Sequence, residues 1–411
     1  MAVKWIAKIN PKHILEKIDK SKSINSEGKI SFEGFSLEDN KAALNHMLDF
    51  NSDVPDYERK RIIWQGLVNT GEKTTIDQVS FLKEVTKLQG NYLRRKEKTY
   101  VLSSSLSFAY KISINKKVFQ KSTFTFTRYL PKKYQEEKEK IYKYAKYSII
   151  GEIPNNYLNV RVSIQGRSEY DAIDKSLFKL DLIRGIWNLF FNRAQGIRHS
   201  TGMKKPVNYI LLGPIQTLHY PDGKAATRTF WYETSYLGPV KLFDCKNKLE
   251  NMLKFEVNVR NLLKSHKYHD SITSLLVRYC RALDEANLSA CFLGLWGTLE
   301  GLTASGNDSY NVTIRRAAFM CIEPEYHSQV LQNLRLYRNK NVHRGSVSDD
   351  IETYVYQLKR YVERLLEFHI ANTFKFESVV EAAAFMDHPT SLSELRKRRR
   401  MINSAIKYRN S

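Results

Sequence analysis

ACFLGLWGTLEGLT, at Ala290–Thr303, is a mostly apolar stretch with the character of a buried helix, in a half of the chain whose sequence pattern is helical throughout. After Asp244 the apolar residues recur at three- and four-residue spacing, which is typical of amphipathic helices. Polar turn residues at Ala304–Ser309 and Gly345–Asp350 separate the helical segments. The pattern predicts an all-α C-terminal bundle with helices at about 246–265, 270–304, 311–321, 324–338 and 349–374.

The sequence before Asp244 mixes helical and strand patterns. Apolar spacing predicts helices at Tyr57–Val68 and Ile76–Leu88, and a long amphipathic helix at Ser168–Asn192. Strict alternation predicts a hairpin, with a strand at Leu106–Ile114, a turn at Asn115–Lys117 and a return strand at Phe119–Phe126. Further strands are expected at about 158–164, 207–212 and 227–233.

These patterns predict an α+β N-terminal region followed by an all-α C-terminal helical bundle. The α+β region covers residues 1–240, either as one unit or as a helical subdomain 1–95 and a mixed subdomain 96–240. The bundle covers residues 245–375. A basic helical tail over 376–411 contains the charge run Arg396–Arg400.

The 411 residues carry a formal net charge of +23, which favours a polyanionic partner: RNA, DNA or an anionic membrane surface. The start of the chain lacks the features of a signal peptide. The most apolar window, Leu177–Phe191, contains charged residues and is shorter than the ~20 residues that cross a bilayer. We therefore expect a cytoplasmic protein without a membrane partner. Its four dispersed cysteines argue against a disulfide framework and a cysteine zinc site.

Arginine followed by histidine after four to six residues is the sharpest chemical pattern in the chain. It is a weak signal alone, because a basic sequence contains chance matches. Inside a continuous helix, a spacing of five residues separates two positions by about 140° around the axis, so that they lie on different faces. The chain contains four matches: Arg193/His199, Arg260/His266, Arg338/His343 and Arg364/His369.

The pair Arg338/His343 differs from the others in its local sequence, RNKNVHRG. Asn339 and Asn341 are poor helix formers, and Gly345 is a natural helix stop. We therefore expect this pair at a helix junction, where the objection to the five-residue spacing does not apply.

The stretch LRLYRNKNVHRG, Leu334–Gly345, resembles the signature of the HEPN superfamily (higher eukaryotes and prokaryotes nucleotide-binding), whose members are helical bundles. That signature is an arginine, a polar residue (here Asn339) and a histidine four to six residues after the arginine. The segment Ala290–Thr303 resembles the first bundle helix of the ApeA-like subgroup, whose members occur in prokaryotic antiviral defence. The resemblance covers about residues 245–375.

The resemblance implies an antiviral or toxin-type endoribonuclease of the abortive-infection kind, which needs no metal and no cofactor and leaves 2′,3′-cyclic phosphate ends. His343 would be the general acid/base, Arg338 the clamp for the phosphate and transition state, and Asn339 the residue that orients either Arg338 or His343. The neighbouring cations would hold flanking phosphates: Lys340, Arg344 and Arg335.

Related ribonucleases pair two bundles, which implies a homodimer with RNA as substrate. The α+β region would recognise RNA, a phage-derived trigger or a regulatory partner. Two alternatives stay open: a nucleic-acid-binding protein without catalysis, and a scaffolding protein in which the bundle only mediates association.

Overall fold

The computed structural model describes residues 2–25, 30–34, 36–109, 116–146, 154, 156–197, 206–236, 238, 240–306, 310–344 and 349–410. Within these ranges, side chains are described except at residues 144–146, 310 and 341–344. Both helices and strands are present, and every described element after residue 245 is helical. The predicted succession of a mixed region and a helical region is therefore confirmed.

The first ninety residues form a small helical unit with its own hydrophobic core. Its longest helices pack closely because Gly66 has no side chain; a Cβ there would lie 2.8 Å from a methyl carbon of Val85. The helices expected at 57–68 and 76–88 are confirmed. The elements are β1 (Lys4–Trp5), α1 (Lys12–Lys20), β2 (Lys22–Ile24), β3 (Ile30–Phe32), α2 (Leu37–Met47), β4 (Leu48–Asp49), α3 (Asp56–Gly71) and α4 (Gln78–Leu93).

A six-stranded antiparallel sheet follows, with strand order β10-β9-β5-β8-β7-β6. One face packs on a long helix, where Phe108 and Phe126 contact the Trp187 ring. A charged helix covers the other face, and its Tyr134 ring lies 5.2 Å from the Arg161 guanidinium. The elements are β5 (Lys98–Leu106), β6 (Lys116–Phe119), β7 (Ser122–Thr127), α5 (Lys132–Lys146), β8 (Leu158–Gly166), α6 (Glu169–Asn192), β9 (Ile215–His219) and β10 (Trp231–Tyr232).

The predicted hairpin exists, but its turn lies elsewhere. β6 and β7 pair through a turn at Gln120 and Lys121, both with positive φ, instead of at Asn115–Lys117. Two consecutive residues with positive φ match the right-handed twist of the strands. Asn-Gly is the usual pair in such a turn, so Gln120 and Lys121 gave no turn signal in the sequence. The expected strand Leu106–Ile114 is wrong at its start, because β5 ends at Leu106. Its residues 110–114 lie outside the described part of the chain.

The strand expected at 207–212 is also wrong, apart from a single bridge between Leu106 and Leu212. The backbone N–H groups of Val207 and Asn208 donate to Leu283 at the end of a helix, so they are not available for a sheet ladder. Of the strand expected at 227–233, only β10 pairs, with β9.

The C-terminal half departs from the prediction at two helix ends. The single helix expected at 270–304 is two helices, because Glu285 is extended and the Asn287 side chain caps the second helix through the N–H groups of Ser289 and Ala290. The helix expected to end at residue 338 continues to Arg344. The elements are α7 (Leu249–Lys264), α8 (His269–Asp284), α9 (Leu288–Leu302), α10 (Tyr310–Phe319), α11 (Pro324–Arg344), α12 (Ile351–Ala371), α13 (Val379–Met386) and α14 (Leu392–Arg409).

Helix α6 connects the sheet to the helical half of the chain. Its Trp187 indole donates a 2.9 Å hydrogen bond to Glu256 of α7, and its Arg184 binds Asp284 of α8. One hydrophobic cluster accordingly runs from Tyr100 to Met386. The cluster includes residues on both sides of position 240. The domain boundary expected near that position stays a prediction. Among the described helices, α6 included, none combines the length and the apolar character needed to cross a bilayer.

Candidate functional site

The predicted Arg/His motif occupies about the last two turns of α11. Tyr337 holds this part of the helix against the bundle: its ring lies 4.9 Å from Phe292 of α9 and 5.0 Å from Tyr354 of α12. Buried Leu331 and Leu334 extend the same contact towards the start of the helix. The cost of an asparagine inside a helix is below ~1 kcal/mol, and packing of this kind outweighs it.

The described side chains of the motif fall in two environments. Arg338 and Asn339 are half-buried, and an Arg338 guanidinium N–H donates to the Asn339 amide oxygen over 3.5 Å. Arg335, also half-buried, donates to Asn311 of α10 over 2.6 Å. Lys340 is exposed. Asn339 is therefore close enough to contact Arg338, although their distance of 3.5 Å is long for a strong hydrogen bond.

The continuation of α11 overturns the expectation of a helix junction. Positions 338 and 343 belong to one helix, so they lie about 140° apart around the axis and about 7.5 Å apart along it. The side chains of His343 and Arg344 lie outside the described part of the chain. The sequence argument distinguished Arg338/His343 from the other Arg/His pairs by placing it at a helix junction. The continuous helix removes that distinction.

The other three pairs do not come together as sites within the described residues. On α12, Arg364 is exposed while His369 is buried. Arg260 pairs with Glu256, whereas His266 lies beyond the end of α7 and donates to the carbonyl of His369. The Arg193 guanidinium pairs with Glu367; His199 lies outside the described residues.

His369 is a structural histidine held between three helices. Its Nε2 lies 2.8 Å from the Leu302 carbonyl, which can only accept, so Nε2 carries the proton. Its Nδ1 then accepts from the Tyr268 hydroxyl at 3.0 Å. Burial lowers the pKa of His369 to about 4, and the charge of nearby His266 acts in the same direction. The folded protein therefore favours the neutral ring.

This arrangement predicts a pH-dependent stability. Because the pKa of His369 is lower in the folded chain than its usual value of 6.5, the stability it contributes is present above pH 6.5 and is lost as the pH falls towards 4. Between pH 7 and pH 5 the free energy of unfolding should fall by about 2 kcal/mol more in the wild type than in His369→Gln. Urea denaturation at both pH values measures this difference. Exposed His46→Gln is the control, and an equal loss in wild type and His369→Gln would contradict the prediction.

A second group of cations, not indicated by any sequence motif, lines a cleft of about 290 Å³ between the start of α11 and the middle of α12. His327 of α11 makes a 2.7 Å hydrogen bond through Nδ1 with the Tyr361 hydroxyl. Arg360 and Arg364 are one helical turn apart on α12, so they share a face. We call this the α11–α12 cleft; its principal lining residues are Tyr326, His327, Gln357, Arg360, Tyr361 and Arg364.

Sequence reasoning could not have found this cleft. Arg364 was paired with His369 by spacing, whereas its neighbour in the fold is His327, which is 37 positions earlier in the chain. The only local signal was the i, i+4 spacing of Arg360 and Arg364, which is common on exposed helices. Across the described residues, no three His, Cys, Asp or Glu side chains are grouped so that they could hold a metal ion.

The chain matches no family model, no curated protein and no solved structure. The resemblance to the HEPN superfamily therefore stays a prediction that depends on the residues of α9 and α11.

Proposed function

We propose that the protein is a cytoplasmic, metal-independent endoribonuclease of an antiviral-defence or toxin system, and that it acts at the C-terminal end of α11. The observation that carries the proposal is the concentration of Arg335, Arg338 and Lys340 on the last turns of a bundle helix that also contains His343. The net charge of +23 supports a polyanionic substrate.

The chemistry follows from the residue types. RNA supplies its own nucleophile: the 2′-oxygen attacks the adjacent phosphorus, the bond from phosphorus to the 5′-oxygen breaks, and a 2′,3′-cyclic phosphate forms. The 2′-hydroxyl loses a proton and the departing 5′-oxygen gains one, and histidine titrates in the right range for both transfers. Arg338 stabilises the negative charge that develops on the phosphate oxygens.

The helix geometry makes a second copy of the chain part of this proposal. One chain presents positions 338 and 343 about 140° apart, whereas one phosphate needs both groups within a few ångströms. In a symmetric pair of bundles, Arg338 of one protomer and His343 of its partner can face the same phosphate, and each dimer then has two equivalent composite sites.

In this proposal, the region before residue 240 recognises RNA, a phage-derived trigger or a regulatory partner. Free ribonuclease activity harms the host cell, so an enzyme of this kind needs restraint. α6 supplies a physical route, because it is buried against both the sheet and α8. A change in the sheet region can therefore reach the bundle through packed side chains.

The second candidate function is nucleic-acid binding without cleavage, and α14 favours it. This helix has no buried residue and carries the basic run Arg396–Arg400 together with Lys407 and Arg409. Such a helix can hold phosphates without any catalytic group, and its binding weakens steeply as salt rises.

Incubation of the purified full-length chain with labelled RNA in EDTA tests the proposal. We expect fragments with 2′,3′-cyclic phosphate and 5′-hydroxyl ends. The variant His343→Ala should bind RNA with wild-type affinity and leave it uncut, while the control variant His46→Ala, which removes an exposed histidine from α2, should cut normally. Salt-sensitive binding with no cleavage by the wild type would favour the second candidate, and equal cleavage by His343→Ala would refute the site assignment.

A further inference from the structure

The α11–α12 cleft contains two guanidinium groups without an opposing carboxylate. None of its described lining residues is an aspartate or a glutamate. Within the described residues, neither Arg360 nor Arg364 forms an ion pair; Arg364 donates to the Met320 carbonyl over 3.3 Å. Two like charges one helical turn apart repel each other, so an anion between them would be stabilised.

The carboxylates of α12 that could neutralise these arginines are engaged elsewhere. Glu363 is buried, and it accepts hydrogen bonds from Lys359 and from the Tyr279 hydroxyl. Glu367 pairs with Arg193 of the segment that follows α6. Glu325, at the start of α11, lines a different cavity, next to α10. The described residues that line the cleft therefore contribute no carboxylate of their own.

The histidine and tyrosine of the cleft add hydrogen-bond donors. Burial raises the pKa of Tyr361 to about 12, so the phenol keeps its proton and can donate it to Nδ1 of His327 over 2.7 Å. With Nδ1 as the acceptor, the His327 ring carries a proton on Nε2, for which the described residues provide no hydrogen-bond partner. Burial also raises the pKa of the Cys321 thiol at the cleft wall, so that group adds no negative charge.

We propose that the α11–α12 cleft is a phosphate-binding site, in which Arg360 and Arg364 hold the phosphate oxygens and the Nε2–H of His327 donates a further hydrogen bond. Guanidinium groups bind phosphate through two parallel N–H donors, which makes arginine the preferred residue for this anion. The first turn of α11, with its positive helix-dipole end, adds to the same field. A volume of about 290 Å³ accommodates a phosphate group with part of an attached nucleoside.

The site is independent of the proposed cleavage at the other end of α11, since His327 precedes Arg338 by eleven positions, or about 16 Å along the helix. The phosphate can belong to free phosphate, to a nucleotide or to an RNA strand. These sources share one recognition chemistry, and the probes below distinguish them.

Isothermal titration of the full-length chain at low salt tests the proposal with inorganic phosphate, AMP and adenosine. We expect phosphate and AMP to bind and adenosine to fail. The double variant Arg360→Ala/Arg364→Ala should weaken binding at least tenfold, because it removes two charge-assisted interactions. The control Lys254→Ala/Lys264→Ala removes the same charge from exposed positions of α7 and should stay within about twofold of wild type.

Short single-stranded RNAs with a 5′-phosphate or a 5′-hydroxyl identify the natural source. A preference for the phosphorylated end assigns the cleft to terminal phosphates, and equal binding that is lost in the cleft variant assigns it to the backbone. His327→Gln is the second variant; it should weaken phosphate binding with an unchanged circular dichroism spectrum. Failure of every phosphate probe to bind, equal loss in the α7 control, or binding of adenosine as tight as that of AMP would each overturn the proposal.

Discussion

Mixing Arg338→Ala chains with His343→Ala chains, each inactive alone, is expected to restore about one quarter of the wild-type rate of RNA cleavage. Each single variant should cut RNA about 10²–10⁴-fold more slowly, which is the usual effect of losing a general acid/base or a transition-state donor. The reason for the recovery is geometric, because a single α11 presents positions 338 and 343 on different faces.

In a composite site, arginine comes from one protomer and histidine from its partner. A mixed dimer then contains one site in which both residues are changed and one site in which both are intact. Random exchange places half of the chains in mixed dimers, and each mixed dimer has one of its two sites active. The wild-type rate is therefore recovered to about one quarter.

A matched control uses a chain with both substitutions. When Arg338→Ala/His343→Ala chains are mixed with His343→Ala chains, no dimer has an intact composite site, so no activity should return. Recovery in this control, or none in the first mixture while both single variants stay dimeric, would contradict the composite site. Single variants that cut at the wild-type rate would remove both residues from the mechanism.

Replacement of Arg184 by methionine is expected to lower the free energy of unfolding by about 3–5 kcal/mol. The Arg184 side chain is fully buried in α6. Its guanidinium makes two hydrogen bonds to Asp284, of 2.7 and 2.6 Å, and two to Asp181, of 2.7 and 3.3 Å. It also donates to the Ile210 carbonyl over 3.1 Å.

The size of the loss follows from what the substitution leaves behind. Methionine fills a similar space, but Asp284 stays buried without its arginine, and Asp181 retains only Arg281 as a cationic partner. An uncompensated buried carboxylate is far more costly than a lost surface ion pair. The control Arg193→Met removes a half-exposed arginine 3.3 Å from Glu367 and should cost less than about 1 kcal/mol.

Urea denaturation followed by circular dichroism measures both variants. If Arg184→Met does not fold, Arg184→Lys keeps the charge, loses the two-pronged contact and should give a smaller, measurable loss. A double variant Arg184→Met/Asp284→Leu removes one of the stranded carboxylates and should recover part of the loss. Equal stability of Arg184→Met and Arg193→Met would show that the network does not hold α6 to α8.

Helices with a clear apolar face could be predicted from the sequence, and strands only in part. The helices at 57–68, 76–88 and 168–192 were expected from spacing alone and are present as α3, α4 and α6. The strand β5 was missed apart from its last residue, Leu106, because it is buried on both faces for most of its length and so lacks the alternation that identifies an exposed strand.

Helix ends depended on contacts that no local pattern contains. Asn339 and Asn341 suggested a break in α11, yet Tyr337 packs between Phe292 and Tyr354 and the helix continues. The opposite error occurred at Asn287, where an apolar pattern that continued across the position concealed a cap. In both cases the local helix propensities differ by only about 1 kcal/mol. Packing or one side-chain hydrogen bond therefore determines where the helix begins or ends.

By itself, the sequence determined that a mixed α+β region precedes a helical one, that the chain is strongly basic, and that Arg338, Asn339 and His343 stand at motif spacing. These properties depend on composition and on residues a few positions apart. The tertiary structure decided that α6 links the sheet to the bundle, that α11 continues through the motif, and that His327 lies in one cleft with Arg360 and Arg364. His327 precedes both arginines by 33 or more positions. Only burial of shared apolar faces brings the helices that carry these residues together.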